Sequence, residues 1–176
     1  DLVRLWPLPQ GGRAGVREDF PAPLFSGEPP PAGERIDEGE LRSRLLRGGY
    51  PEAVKRAPAK RRTAWFEAYV TTILQRDVQA LSNIEGLREM PRLLQILAAR
   101  TSNLLNFSAL SRETGLAQST LKRYLALLEA TFLVQLQPAW AAGATRRLTK
   151  APKSLITDVG LAASLLDVDA ERLERD

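Results

Sequence analysis

Gln118, Ser119, Lys122 and Arg123 have the chemistry to read a nucleic acid. An amide, a hydroxyl and two cations can reach base edges and phosphates when their helix lies in a major groove. Their spacing places Ser119, Lys122 and Arg123 on one side of a helix, with Gln118 at the flank. Opposite them, Leu121, Tyr124, Leu125, Leu128 and Phe132 fall at the intervals of one buried helical face. The bland alternative is a packing module whose polar face is merely solvated. Where the remaining positive charge lies discriminates between the two.

That charge is grouped. The chain of 176 residues has a net charge of +4. Lys55, Arg56, Lys60, Arg61 and Arg62 form one basic group, and Lys122 with Arg123 a second. Arg146, Arg147, Lys150 and Lys153 form a third, where the wing of a winged helix belongs. Basic groups at both elements that touch DNA in such folds favour nucleic acid as partner. Cys and His are absent, which removes disulfides, Cys/His zinc sites, thiol nucleophiles and imidazole acid–base catalysis. Any chemistry falls to carboxylates, Lys, Tyr, Ser or Thr. No apolar run is long enough for a membrane helix, and a cysteine-free chain suits the cytoplasm. The start at Asp1, with neither initiator Met nor signal pattern, reads as part of a longer protein.

The elements that must position these residues follow from caps and periodicity. Asn106 caps a helix whose inward positions are Phe107 and Leu110, and Gly115 supplies the positive φ of the turn into the second helix. A short strand follows towards Leu136, giving the outline of a helix-turn-helix running into a wing. Upstream, residues 1 to about 40 hold a short apolar strand and a Gly/Pro-rich linker, with Leu24 and Phe25 anchoring one helical turn. Asp37 and Glu40 make a capping box before Leu41, Leu45 and Leu46. Gly48 and Gly49 stop that helix, and Pro51 suits the first turn of the next. A long helix spans about Ala59 to Ser82 and another about Leu87 to Thr101. After the wing comes a strand through Leu155 and Ile156, and Asp158 caps a helix carrying Leu161, Leu165 and Leu166. The charged tail from Asp167 is expected to fray.

Asp77 breaks the pattern. It falls within the stripe of Phe66, Val70, Ile73, Leu74 and Leu81, where an unpaired charge is costly. Either it makes an internal ion pair or cap, or Arg76–Asp77 is a polar element serving a ligand or neighbouring domain.

LRGGYPEAV, WFEAYVTTILQRDV, LLNFSALSRETGLAQSTLKRYLALLEATFLV and KAPKSLITDVGL occur in that order along the chain. Together they resemble prokaryotic ATPases that join an AAA-type (archaeal-ATPase-like, STAND-related) nucleotide-binding domain to a C-terminal domain of unknown function. The resemblance implies that LVRLWPLPQG ends the ATPase core. A helical lid, a winged helix and a restriction-endonuclease-like domain would follow. It matches Gly48, Gly49, Tyr50 and Pro51 to a glycine–proline motif placed against the nucleotide's base; a plain helix stop and start is the alternative. Arg76 and Asp77 match the family's Arg–Asp pair, and Lys150, Lys153 and Asp158 match its KAPKSLITDVGL-type motif, without assigned roles.

Departures qualify the match. No GxxxxGK[ST] phosphate loop is present, so the phosphate cradle and magnesium ligand are missing. The stretch Gln10 to Arg13 also lacks the acidic residue expected there.

The expected architecture is mainly α: a helical lid-like bundle followed by a winged helix-turn-helix with a short β-hairpin wing. Its parts are the end of the ATPase core and linker (1–40), the lid-like subdomain (41–85), the winged helix (86–158) and the start of a truncated C-terminal domain (159–176). The expected role is a non-catalytic DNA-binding module regulated by nucleotide state, with ATP and magnesium held by the parent protein and no cofactor here. Double-stranded DNA, the missing ATPase domain and a second copy are the expected partners; a membrane is not. The competing expectations are a module that packs on the ATPase core or another subunit, and an enzyme fragment.

Overall fold

The computed structural model describes residues 6–15, 21–27, 36–78, 87–140 and 150–175. The described part is mainly helical with one small antiparallel sheet. Its N-terminal helices are α1 (Gln10–Ala14), α2 (Pro21–Ser26), α3 (Glu38–Arg47), α4 (Pro51–Val54) and α5 (Ala59–Thr72). A π-helical turn, Ile73–Val78, continues α5. A 3-10 turn at Leu87–Glu89 leads into α6 (Met90–Ala99), followed by α7 (Phe107–Thr114) and α8 (Gln118–Ala130). Strands β1 (Val134–Gln137) and β2 (Lys153–Ile156) precede α9 (Val159–Leu165) and α10 (Ala170–Arg175).

Capping residues set most of these boundaries. The Asp37 carboxylate accepts from the Glu40 N–H at 3.1 Å, while the Glu40 carboxylate turns to Arg44 at 2.8 Å. Asn106 accepts from the Ala109 N–H at 2.9 Å, and Gly115 closes α7 with φ +73°. Pro51 opens α4, where its missing N–H costs nothing. Phe25 in α2 is 87% exposed, so it anchors nothing within the described residues.

Among the described residues the buried apolar side chains form one core cluster. Phe66, Leu74 and Val78 from α5 and its π turn join Leu93, Leu94 and Leu97 from α6. Leu110 from α7, Leu121, Leu125 and Leu128 from α8, and Leu161 from α9 belong to it as well. Helix α9 packs against α3, α5 and α6. The tail carries helix α10 up to Arg175. Asp169 caps α10 by accepting from Arg172 N–H at 2.9 Å, and Arg42 pairs with Glu174 at 3.2 Å, tying α10 to α3.

β1 and β2 pair antiparallel, with Val134 opposite Ile156 and Gln137 opposite Lys153. The backbone of residues 102–105 runs along the other edge of β2. Ser102 N–H donates to Ser154 O at 2.7 Å, Ser154 N–H to Asn103 O at 3.1 Å, and Leu105 N–H to Pro152 O at 2.8 Å. The sheet is thereby clamped between the end of α6 and the start of α7.

The π turn corrects the reading of Asp77. Adding a residue to the turn rotates everything after it relative to α-helical spacing. Val78 takes the buried position instead, and the Asp77 side chain is 45% exposed, 4.0 Å from the Arg76 guanidinium. Phe132 is a second correction. It lies beyond α8 with φ +58°, partly exposed, its ring edge-on to Trp6 at 5.9 Å. Leu81 and Ser82 lie outside the described residues.

Candidate functional site

The helix pair α7–α8 presents the first site. Leu121, Tyr124, Leu125 and Leu128 are buried, which fixes the roll of α8 and leaves Gln118, Ser119, Lys122 and Arg123 exposed. The Gln118 amide donates to Ser108 Oγ at 3.3 Å, linking the first turn of α8 to α7. Lys122 Nζ lies 5.6 Å from the Phe107 ring centroid, a cation–π contact that leaves its charge accessible. Ala117 at the N-cap has no side chain able to accept, so the first N–H groups of α8 have no side-chain cap. Lys150 and Lys153 are exposed at the approach to β2, and Leu104, beside Lys153, is 64% exposed. Arg146 and Arg147 lie outside the described residues. Arg76, 83% exposed, stands on the π turn of another face.

The second site is a junction between chain segments far apart in sequence. Asp158 caps α9 through Oδ1, accepting from Leu161 N–H at 2.8 Å. Its Oδ2 accepts from Gly49 N–H at 2.6 Å, a bond across 109 residues. Gly48 sits at φ +64°, ψ −161°, a region that only glycine enters freely. A Cβ at Gly48 would collide with the Asp158 carboxylate, and one at Gly49 with the Leu8 backbone. A Cβ at Gly160 would lie 2.7 Å from Gly48 N. Leu8 N–H donates to Gly49 O at 2.8 Å, and Arg13 donates to Gly48 O at 3.0 Å. The close approach that the two glycines permit is therefore made by the chain's own groups. Burial pushes the Asp158 carboxyl up, against the bonds from Gly49, Leu161 and Gly160 and the charge of Arg13.

Tyr50 follows the glycines inward. Its ring packs against Trp65 at 5.6 Å, Phe66 at 6.3 Å and Tyr69 at 5.1 Å. Its hydroxyl lies 3.5 Å from Thr157 Oγ1, and burial raises the phenol well above its ordinary range. Pro51 alone of this motif is exposed, on the wall of a cleft of about 430 Å³ lined also by Leu8, Arg13, Arg44, Val54 and Lys55. Arg13, Leu8 and Gly160 had no functional signal of their own in the sequence. Asp158 is buried while Lys150 and Lys153 are exposed, so the three motif residues do not share one environment. Among the described residues no three carboxylates gather to hold a metal ion.

The family model of a domain of unknown function, DUF8612, matches residues 38–172, from the start of α3 into α10. The chain belongs to this family. It is also 36% identical over 125 residues to uncharacterized proteins of Mycobacterium tuberculosis (strain H37Rv) and Mycobacterium bovis. The match covers 70% of this chain and 28% of each relative. No solved structure matches. The family boundaries enclose both the α7–α8 face and the Gly48–Asp158 junction.

Proposed function

We propose that the chain is the DNA-binding output half of a nucleotide-dependent switch, a winged helix carried on a lid-like bundle. The observation that supports this most is the exposed face of Gln118, Ser119, Lys122 and Arg123, opposite the stripe that holds α8 in the core. The uncapped N–H groups of α8 add partial positive charge at the end of the helix that would meet phosphate. Lys150 and Lys153 extend the positive surface onto the sheet. The nucleotide half of this reading rests on the resemblance to AAA-type ATPases. On it, ATP and magnesium are bound by a domain of the parent protein, in the cytoplasm, and this chain by itself hydrolyses no ATP.

Duplex binding measured by fluorescence anisotropy tests the DNA reading. Affinity is expected to fall steeply as salt is raised, because phosphate neutralisation releases counterions. Replacing Lys122→Glu together with Arg123→Glu should weaken binding at least ~10-fold and flatten the salt dependence by about two counterions. Unchanged binding by that double variant would exclude α8 as the recognition helix.

A second reading is favoured by a different surface. Trp6, Ala126, Ala130, Phe132 and Leu136 line a groove of about 540 Å³ beside β1, and Trp140 is 91% exposed. Apolar surface of this kind marks a protein contact. On this reading the module packs on the ATPase core or a second copy. The acidic double variant would then leave association intact, while Phe132→Ser would abolish it.

A further inference from the structure

A cleft of about 290 Å³ lies where α3, α5, α9 and α10 meet. Leu46, Phe66, Ala163 and Val168 give it an apolar lining. Its hydroxyls are Ser43, Thr63 and Ser164, and its charges are Arg42, Arg62, Asp169 and Glu174. Three of the four charges are already engaged. Arg42 pairs with Glu38 at 3.1 Å and with Glu174 at 3.2 Å, and Asp169 accepts from Arg172 N–H to cap α10. Arg62 differs. One of its terminal nitrogens donates to Arg56 O at 3.2 Å and to Ala57 O at 3.4 Å. Among the described residues no carboxylate stands at ion-pair distance from it, and its other two nitrogens have no acceptor. Burial, then the like charge of Arg47, hold its guanidinium below its ordinary pKa, and no carboxylate among the described residues counters them. A half-buried cation with only neutral acceptors, at the edge of an apolar cleft, is a place for an anion.

We propose that this cleft binds a small organic monocarboxylate, its anionic end received by Arg62 and its apolar body lodged against Leu46, Phe66 and Ala163. A guanidinium presents paired N–H donors that match the two oxygens of a carboxylate. Asp169 and Glu174, on the α10 side of the same cleft, limit the charge that a ligand can carry. A polyphosphate or a dicarboxylate would meet them as like charges. One anionic group at Arg62 leaves only the neutral body of the ligand to face them. Size narrows the class further. Ligand clefts run from about 300 to 1,000 Å³, so this one suits a single ring or a short chain. No residue of α8 and none of Gly48 to Pro51 lines the cleft, so the site is independent of both halves of the proposed switch. Gly160 does line it, and a Cβ there would meet Gly48, so an occupant would sit against the seam that Asp158 closes. Binding only to the folded chain, it would stabilise that seam.

Isothermal titration of the chain with sodium 3-phenylpropionate, and separately with sodium octanoate, tests this at about 150 mM salt, where long-range attraction is screened. Saturable binding of at least one acid at a single site is expected, with an unfolding temperature that rises with its concentration. Arg62→Gln should weaken binding about tenfold or more, the order expected for one lost charge-assisted contact. Arg62 also holds the Arg56 and Ala57 carbonyls, so a second variant guards against a loss of fold. Ala163→Leu fills the cleft from α9 and removes no hydrogen bond. It should abolish binding while circular dichroism stays that of the wild type. The methyl ester of whichever acid binds has the same body without the charge, and should bind at least about tenfold more weakly. Absence of saturable binding by both acids overturns the proposal. So does undiminished affinity in Ala163→Leu, which would put the ligand elsewhere on the chain. Equal binding of acid and ester removes the carboxylate from Arg62 and overturns it too. Tighter binding of pyrophosphate than of either acid, lost in Ala163→Leu, would overturn it by making the cleft a phosphate site.

Discussion

The α7–α8 pair and the Gly48–Asp158 junction use the same local devices in opposite directions. Each has a side-chain helix cap, a glycine at positive φ and a polar group near the turn. In the helix pair the polar groups stand outside a completed core, and little of the fold depends on them. At the junction a carboxylate is buried to join segments 109 residues apart, and the glycines exist to let it in. A motif of conspicuous residues can therefore signal a surface held out for a partner or a seam closed within the chain. What separates the two is whether the polar atoms already have their partners.

That contrast can be broken at its strongest point first. Gly48→Ala adds a Cβ where the Asp158 carboxylate sits and forces an unfavourable backbone conformation, so it should cost ~3 kcal/mol or more in chemical denaturation. A loss under ~1 kcal/mol would show that the seam yields easily. Asp158→Asn comes next. An amide can cap α9 or accept from Gly49 but cannot do both, which leaves a buried N–H unpaired at about 1–3 kcal/mol.

This variant also carries a pH signature. The Asp158 carboxyl is raised by burial, so between its unfolded and folded pKa values the native state holds the proton more tightly. Its contribution to stability is therefore present below the unfolded value, about 4, and lost as pH rises through the folded one. The advantage of wild type over Asp158→Asn in thermal unfolding should be larger at acid than at neutral pH. The reverse slope would mean that the charged form is the favoured one.

The smallest effect sharpens the other side. Ser119→Ala and Arg123→Ala should each change stability by less than ~0.5 kcal/mol, since both side chains are exposed. A larger loss would make the α8 face part of the folding machinery.

The sequence made the helix pair legible because everything that builds it is local. Asn106, Gly115 and the Leu121-to-Leu128 stripe act within a few residues of one another, and the structure has them as read. The caps Asp37 and Asp158 were legible for the same reason. Position 77 was not, because one π turn defeats any count based on 3.6 residues. Nor was Phe132, which continues the α8 period by number but follows a chain that has already left the helix. The tail helix α10 depends on Asp169 and on a pairing with α3 that charge composition hides. At the candidate sites, the α8 face followed from periodicity. The second bond of Asp158 and the reach of Arg13 to Gly48 are long-range facts, and no local pattern encodes them.

The bond from Asp158 to Gly49 also imposes an order of events on synthesis. Residues 48 and 49 leave the ribosome long before residues 158 and 160, and until then the Gly49 N–H lacks its carboxylate, with Leu8 and Arg13 alone reaching the two glycine carbonyls. Contacts of such separation form late because a long loop must close first. The helix pair lies within that loop, so it can assemble its own turn while the seam around it is still open. A nascent chain arrested before residue 158 would already carry the Lys122–Arg123 face, on a body not yet locked to α3.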